Sequence, residues 1–177
     1  MTLAATATAF FLVACGGGDP AITSVKVMGD SLADSGTFGL KFTVQGSAAT
    51  GAGSTPVWPE LVADSVAETD PLCAYYRINP ITQAAATQTG CTNYAIGGGR
   101  INNYSNPQSP VSITLQLQQA AQVHGGYRST DLLLIDGGGN DAADLAGAYL
   151  GATSAQGQAV YRAFHTSMLP AATGDGR

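Results

Sequence analysis

The chain has 177 residues, enough for one domain with its own core. Only 11% of them are charged, against about 25% in an average globular protein, and small or polar uncharged residues fill the difference. The formal net charge is −5 and the seven Lys and Arg residues are scattered, so no basic face exists for a nucleic-acid partner.

In chain order, residues 4–14 ("AATATAFFLVA") form an apolar run shorter than the roughly 20 residues a membrane-spanning helix needs. It ends in Leu12-Val13-Ala14-Cys15, which resembles a bacterial lipobox, where the leader is cut before a cysteine that then carries lipid. Residues 1–14 are therefore read as an export segment and 15–21 as a Gly-rich tether, giving an envelope lipoprotein attached to a membrane through Cys15, or a secreted protein. No Lys or Arg precedes the run, as an export signal normally requires, so the expectation is that the natural start lies further upstream. An ordinary apolar helix with a buried cysteine is the competing reading.

The domain proper is expected over 22–177. "ITSVKVMG" (22–29) is a short β-favouring run followed by turn-formers, and is read as a buried strand. Residues 46–55 read as a Gly/Ser/Thr loop. A helix follows from about Pro56, with Trp58, Leu61, Val62 and Val66 on one face and two prolines where a first turn tolerates them. In an exported chain Cys73 and Cys91 form an even pair and are read as a disulfide, worth about 3 kcal/mol on the chain-entropy model; two inert thiols are the alternative. The segment between them, with Pro80 and "TQAAATQTG", is read as a long loop closed by that bond.

"TNYAIGG" (92–98) reads as a short strand entering a Gly-rich turn. "SITLQLQQAAQVHGG" (112–126) reads as a helix with Ile113, Leu117, Ala120 and Ala121 on one face and Gly125-Gly126 as its stop. "DLLLID" (131–136) is the strongest strand, four apolar residues in a row predicting burial on both faces as in a parallel sheet. A last helix is expected over about 155–169, carrying Val160, Phe164 and Met168.

Alternating strands and helices predict a parallel sheet covered on both sides, with ligands beyond the carboxyl ends of its strands. Three strand candidates leave through turns of small residues, "GDSLADSG", "IGGGRIN" and "DGGGND", which then lie along one edge. Taken singly, each is an ordinary turn: Ser31 caps, "GGG" loops, Asn140 starts a helix. Together they supply what acyl transfer needs. Ser31 brings a hydroxyl and a backbone N–H at a sharp strand exit. Gly98 brings an N–H that no side chain shields. Asn140 brings an uncharged amide donor. No GxGxxG or GK[ST] is present, so a nucleotide-binding domain has neither its phosphate cradle nor its ribose-binding acid.

The three blocks resemble, in the right order over about residues 25–145, those of the GDSL (SGNH) hydrolases, a family of esterases and lipases. The resemblance implies Ser31 as nucleophile, Gly98 as the oxyanion glycine with Gly97 the nearest alternative, and Asn140 as the oxyanion asparagine. It further implies an α/β, three-layer flavodoxin-like fold and hydrolysis of a small-molecule, lipid or glycan ester through an acyl-serine, with no metal or organic cofactor. Asp30, Asp34 and Asp141 are read as orienting residues. The family's D-x-x-H block does not occur. His124, at the end of a helix antiparallel to the strands, falls at the wrong edge, and His165 sits inside a helix. The expectation is accordingly an incomplete catalytic domain, its base beyond Arg177 and the fragment close to inactive. A lipoprotein of the same fold that binds an acyl or glycan ligand without cleaving it is the second reading.

Overall fold

The computed structural model describes residues 21–44, 54–66, 72–103 and 105–150, with Ala155, Gln158, Ala159 and Arg162 beyond them. The expected export segment, Cys15, nearly all of the 46–55 loop, and His165 lie outside the described residues. Of the expected last helix, the four residues named are helical; Val160, Phe164 and Met168 lie outside.

Strand β1 (Ser24–Met28) is buried throughout and pairs in parallel with β4 (Asp131–Ile135), Ser24 opposite Asp131 and Met28 opposite Ile135. Its alternating side chains divide the core. Val25 and Val27 pack with Ala33, Ala63 and Ala95, against the side of helix α1 (Trp58–Ser65). Met28 packs with Tyr75, Tyr76, Tyr94, Ile96, Ile113 and Ala120, against helix α2 (Ile113–His124). Residues of the two helices thus join clusters built on different side chains of β1. Helix α3 (Gly139–Leu150) follows β4 directly.

Five expectations need correction. "TNYAIGG" makes only isolated bridges at Asn93, to Val27 and Ala74. It nonetheless follows the free edge of β1: Val27 N donates to Thr92 O (3.1 Å), Tyr94 N to Val27 O (2.7 Å) and Ile96 N to Gly29 O (3.2 Å). Strand β4 is only partly buried, with Ile135 52% exposed, since among the described residues no strand pairs with its outer edge. Helix α1 turns Pro59 and Ala63 inward, Ala63 joining the Val25 and Val27 cluster with Val66 at its margin, and leaves Trp58 and Leu61 partly in solvent. On α2 the buried face is Ile113, Gln116 and Ala120, with Leu117 at its margin.

The segment between the cysteines is more ordered than a loop. β2 (Tyr76–Ile78) and β3 (Ala85–Thr87) form an antiparallel hairpin, its turn held by Asn79 Oδ1, which accepts from Ile81 N and Thr82 N. Alanine-rich β3 gave no strand signal. The Cys73–Cys91 disulfide forms as expected and closes the hairpin's base, beside Tyr75 N donating to Asn93 O (2.7 Å).

One buried ion pair joins the sheet's two strands. Lys26 Nζ lies 2.8 Å from Asp131 Oδ1, both side chains 3% exposed or less, and also donates to Ser24 Oγ at 2.9 Å. Burial pushes the Asp131 carboxyl up, but the Lys26 ammonium and the Arg128 N–H outweigh it and hold the group below its usual value. A depressed folded value means the contribution is present above the ordinary carboxylate range and lost as pH falls through the folded value. Asp131→Ala, which strands Lys26, is expected to cost about 3–5 kcal/mol, whereas the pair Lys26→Met with Asp131→Leu recovers most of it. Urea midpoints of the three proteins check this, and the double variant should lose less stability on acidification.

Candidate active site

At the carboxyl end of β1 the chain runs out of strand partners while still buried, so side chains take over the backbone hydrogen bonds. Gly29 N donates to Gln116 Oε1 (2.8 Å), and Gln116 Nε2 donates to Gly29 O (3.2 Å) and Pro110 O (2.9 Å). Gln116 is fully buried and does the work of a missing strand. Asp30 N donates to Asp136 Oδ1 (3.2 Å), and Asp136 N to Met28 O (3.1 Å). A Cβ at Gly29 would collide with the Asp136 carboxylate, so only glycine lets that carboxylate in. Burial pushes the Asp136 carboxyl above its usual value, against the lowering effect of the Asp30 N–H, and the Asp30 charge adds to the rise.

Asp30 then closes the turn. Its Oδ1 accepts from Leu32 N (2.9 Å) and its carbonyl from Ala33 N and Asp34 N. Ser31 is left half-exposed at the apex, between buried Asp30 and exposed Leu32.

The second turn is laced to the first. Asn93 Nδ2 donates to Ala33 O (2.8 Å) while its Oδ1 accepts from Ala95 N (2.9 Å). Thr37 Oγ1 donates to Ala95 O (3.1 Å). Asp34, fully buried, accepts from Gly36 N and Thr37 N through Oδ1 and from Gly97 N (2.9 Å) through Oδ2. Burial pushes its carboxyl up, and these three N–H groups work against that rise. Gly97 is thereby committed. Gly98 turns at φ +83°, and Gly99 packs so tightly on the first turn that a Cβ there would lie 2.5 Å from Gly29 O and 2.9 Å from Asp30 Cα. Among the described residues neither the Ser31 N–H nor the Gly98 N–H meets an acceptor.

The third turn enters through Gly137 and Gly138, both at positive φ, into α3. Asn140, in the first turn of α3, donates from Nδ2 to Gly99 O (2.9 Å) and, over a long 3.4 Å, to Asp30 Oδ2. Asp141 Oδ2 accepts from Ile101 N (3.1 Å). Three turns far apart in sequence thus meet around one aspartate, bringing Ser31, Gly98 and Asn140 to the same edge of the sheet.

A family model described as GDSL-like Lipase/Acylhydrolase matches residues 25–167, four-fifths of the chain and all three turns. The chain belongs to the GDSL-like lipase/acylhydrolase family. Membership carries an α/β fold and, in general terms, hydrolysis of small-molecule esters. No curated protein and no solved structure matches it.

For this GDSL-family chain, the histidines stand as follows. His124 ends α2, one short loop before the amino end of β4, and its Nε2 lies 3.1 Å from Tyr94 Oη, away from the Ser31 edge. His165 lies outside the described residues. Gln116, Asp136 and the Arg100–Asp144 pair escaped the sequence reading. A polar residue three after Ile113 and four before Ala120, on the face that is buried, was the available signal for Gln116.

Replacing Gln116 by Met keeps the volume but leaves the Gly29 N–H buried without a partner, at a cost of roughly 1–3 kcal/mol, while Gly29 O keeps Ile96 N. A loss of about 1–3 kcal/mol in unfolding free energy is expected, read from the denaturant midpoint.

Proposed function

We propose that the protein is a serine ester hydrolase acting through an acyl-serine. Ser31 Oγ attacks the ester carbonyl and gives up its proton to a base. The tetrahedral oxyanion is held by the N–H groups of Ser31 and Gly98 and by the Asn140 amide. Collapse breaks the bond to the leaving alcohol, which departs with a proton, and water then cleaves the acyl-serine.

The observation that carries this reading is the pattern of free and committed donors. Ser31 N–H and Gly98 N–H have no described acceptor, whereas the neighbouring Gly97 N–H is held by Asp34. That favours Gly98 over Gly97 as the donor. One Asn140 amide proton is fixed on Gly99 O at 2.9 Å; the other reaches Asp30 Oδ2 only at 3.4 Å and is readily redirected to an oxyanion. In the family pattern the base is a histidine. Among the described residues none stands at this edge, so proton removal falls to a group outside them.

We further infer a three-layer arrangement, supported by Ala63 of α1 packing with Val25 and Val27 while Ile113 and Ala120 of α2 pack with Met28. An exported, lipid-anchored location is supported by the apolar 4–14 run, by "LVAC" at 12–15 and by the Cys73–Cys91 disulfide, a bond that persists in oxidising compartments.

In a form of the protein that carries its base, a fluorophosphonate probe is expected to label Ser31, and Ser31→Ala to abolish labelling; labelling that survives the substitution overturns the assignment. On a short-chain nitrophenyl ester, Asn140→Ala is expected to lower kcat by about 10²–10³ with KM little changed. Labelling and binding without turnover would instead favour a protein of this fold that holds an ester ligand without cleaving it.

A further inference from the structure

The helix that carries Asn140 has little to hold it. Among the described residues α3 buries only Asp141, and Ala142, Ala143, Asp144, Ala146, Gly147, Tyr149 and Leu150 are exposed. Its described ties to the Gly-rich turn are polar. Asn140 donates to Gly99 O, Ile101 N donates to Asp141, and Arg100 grips Asp144. The turn on the other side contains three consecutive glycines, which have the most conformational freedom to lose.

Arg100 connects the two. Its Nε and Nη2 donate to Asp144 Oδ2 (2.5 Å) and Oδ1 (2.9 Å), a two-pronged bond, while Nη1 donates to Gly98 O at 2.7 Å. Asp144 lies four residues after Asn140, so both side chains leave α3 on the same face. We propose that Arg100 and Asp144 are positioning residues that clamp the Gly98 carbonyl to α3, so that the turn bearing the Gly98 N–H and the helix bearing the Asn140 amide are held relative to each other. The proposal rests on the serine-hydrolase reading above. The planar guanidinium fork can hold a carboxylate and a carbonyl at set angles, which the single ammonium of lysine cannot.

The pair is partly exposed, 30% and 41% for the two side chains, so its direct contribution to stability is small. Its effect belongs in geometry, where a displacement of about 1 Å can cost 10²-fold in rate. The test compares Arg100→Lys, Asp144→Asn and the double variant with the unaltered protein in three measurements. These are the phosphonylation rate at Ser31, kcat and KM on a short acyl ester, and amide exchange at Gly99 and Ile101. The expected result is a roughly 10–100-fold fall in phosphonylation and kcat for each single variant, with KM and Tm nearly unchanged. The double variant should be no worse than the singles, since either change opens the same clamp. Faster exchange at Gly99 and Ile101 should accompany the loss. Rates within twofold of the unaltered protein, or single effects that multiply in the double variant, overturn the clamp. If the unaltered protein, in a form that carries its base, is not labelled at Ser31, the serine reading fails by itself, and unchanged exchange at Gly99 and Ile101 then sinks the clamp independently.

Discussion

The structure hangs on the peptide units of Gly29 and Asp30, just past the end of β1. A parallel strand that ends inside a protein leaves buried N–H and C=O groups with nothing beside them, and these must be satisfied or the fold loses stability. Here Gln116 from α2 takes both backbone groups of Gly29, and Asp136 from the end of β4 takes the N–H of Asp30. Because each partner comes from a different connection, satisfying this short stretch also fixes where those connections lie. Gly29 must be glycine for Asp136 to reach, and Gly99 must be glycine for the second turn to close on the first.

The same constraint organises the chemistry. With Asp30 held from both sides, its carboxylate reaches forward to Leu32 N and across to Asn140. Ser31 is left at the apex with its own N–H directed to no protein acceptor among the described residues. The second turn repeats the scheme through Asp34, which binds Gly36, Thr37 and Gly97 and leaves Gly98 open. In both turns an aspartate holds neighbouring N–H groups while those of Ser31 and Gly98 stay open. A hole for an oxyanion needs donors that are already aimed and not otherwise engaged, and this division of labour leaves such donors.

Much of this was legible in the sequence. "GDSLADSG", "NYAIGGGR" and "GGGND" each end or follow an apolar run, and parallel topology puts such exits on one edge, so Ser31, Gly98 and Asn140 could be named together. Other features could not be read, for a shared physical reason. The inward turn of Pro59 and Ala63 on α1, instead of Trp58 and Leu61, depends on which side of the helix meets the Val25 and Val27 cluster, a tertiary choice. The hairpin at 76–87 is set by backbone pairing and the Cys73–Cys91 bond, not by the alanines of β3. Gln116, Asp136 and Arg100 act on backbone atoms distant in sequence, and nothing local in the chain announces those partners.

The most direct measurement is a crystal structure of the protein phosphonylated at Ser31. The account places the phosphonyl oxygen about 2.7–3.1 Å from the N–H groups of Ser31 and Gly98 and from Asn140 Nδ2, with the long contact from Asn140 to Asp30 released. An adduct whose oxygen faces solvent, with Asn140 still closed on Asp30 and Gly98 N–H unengaged, would contradict it.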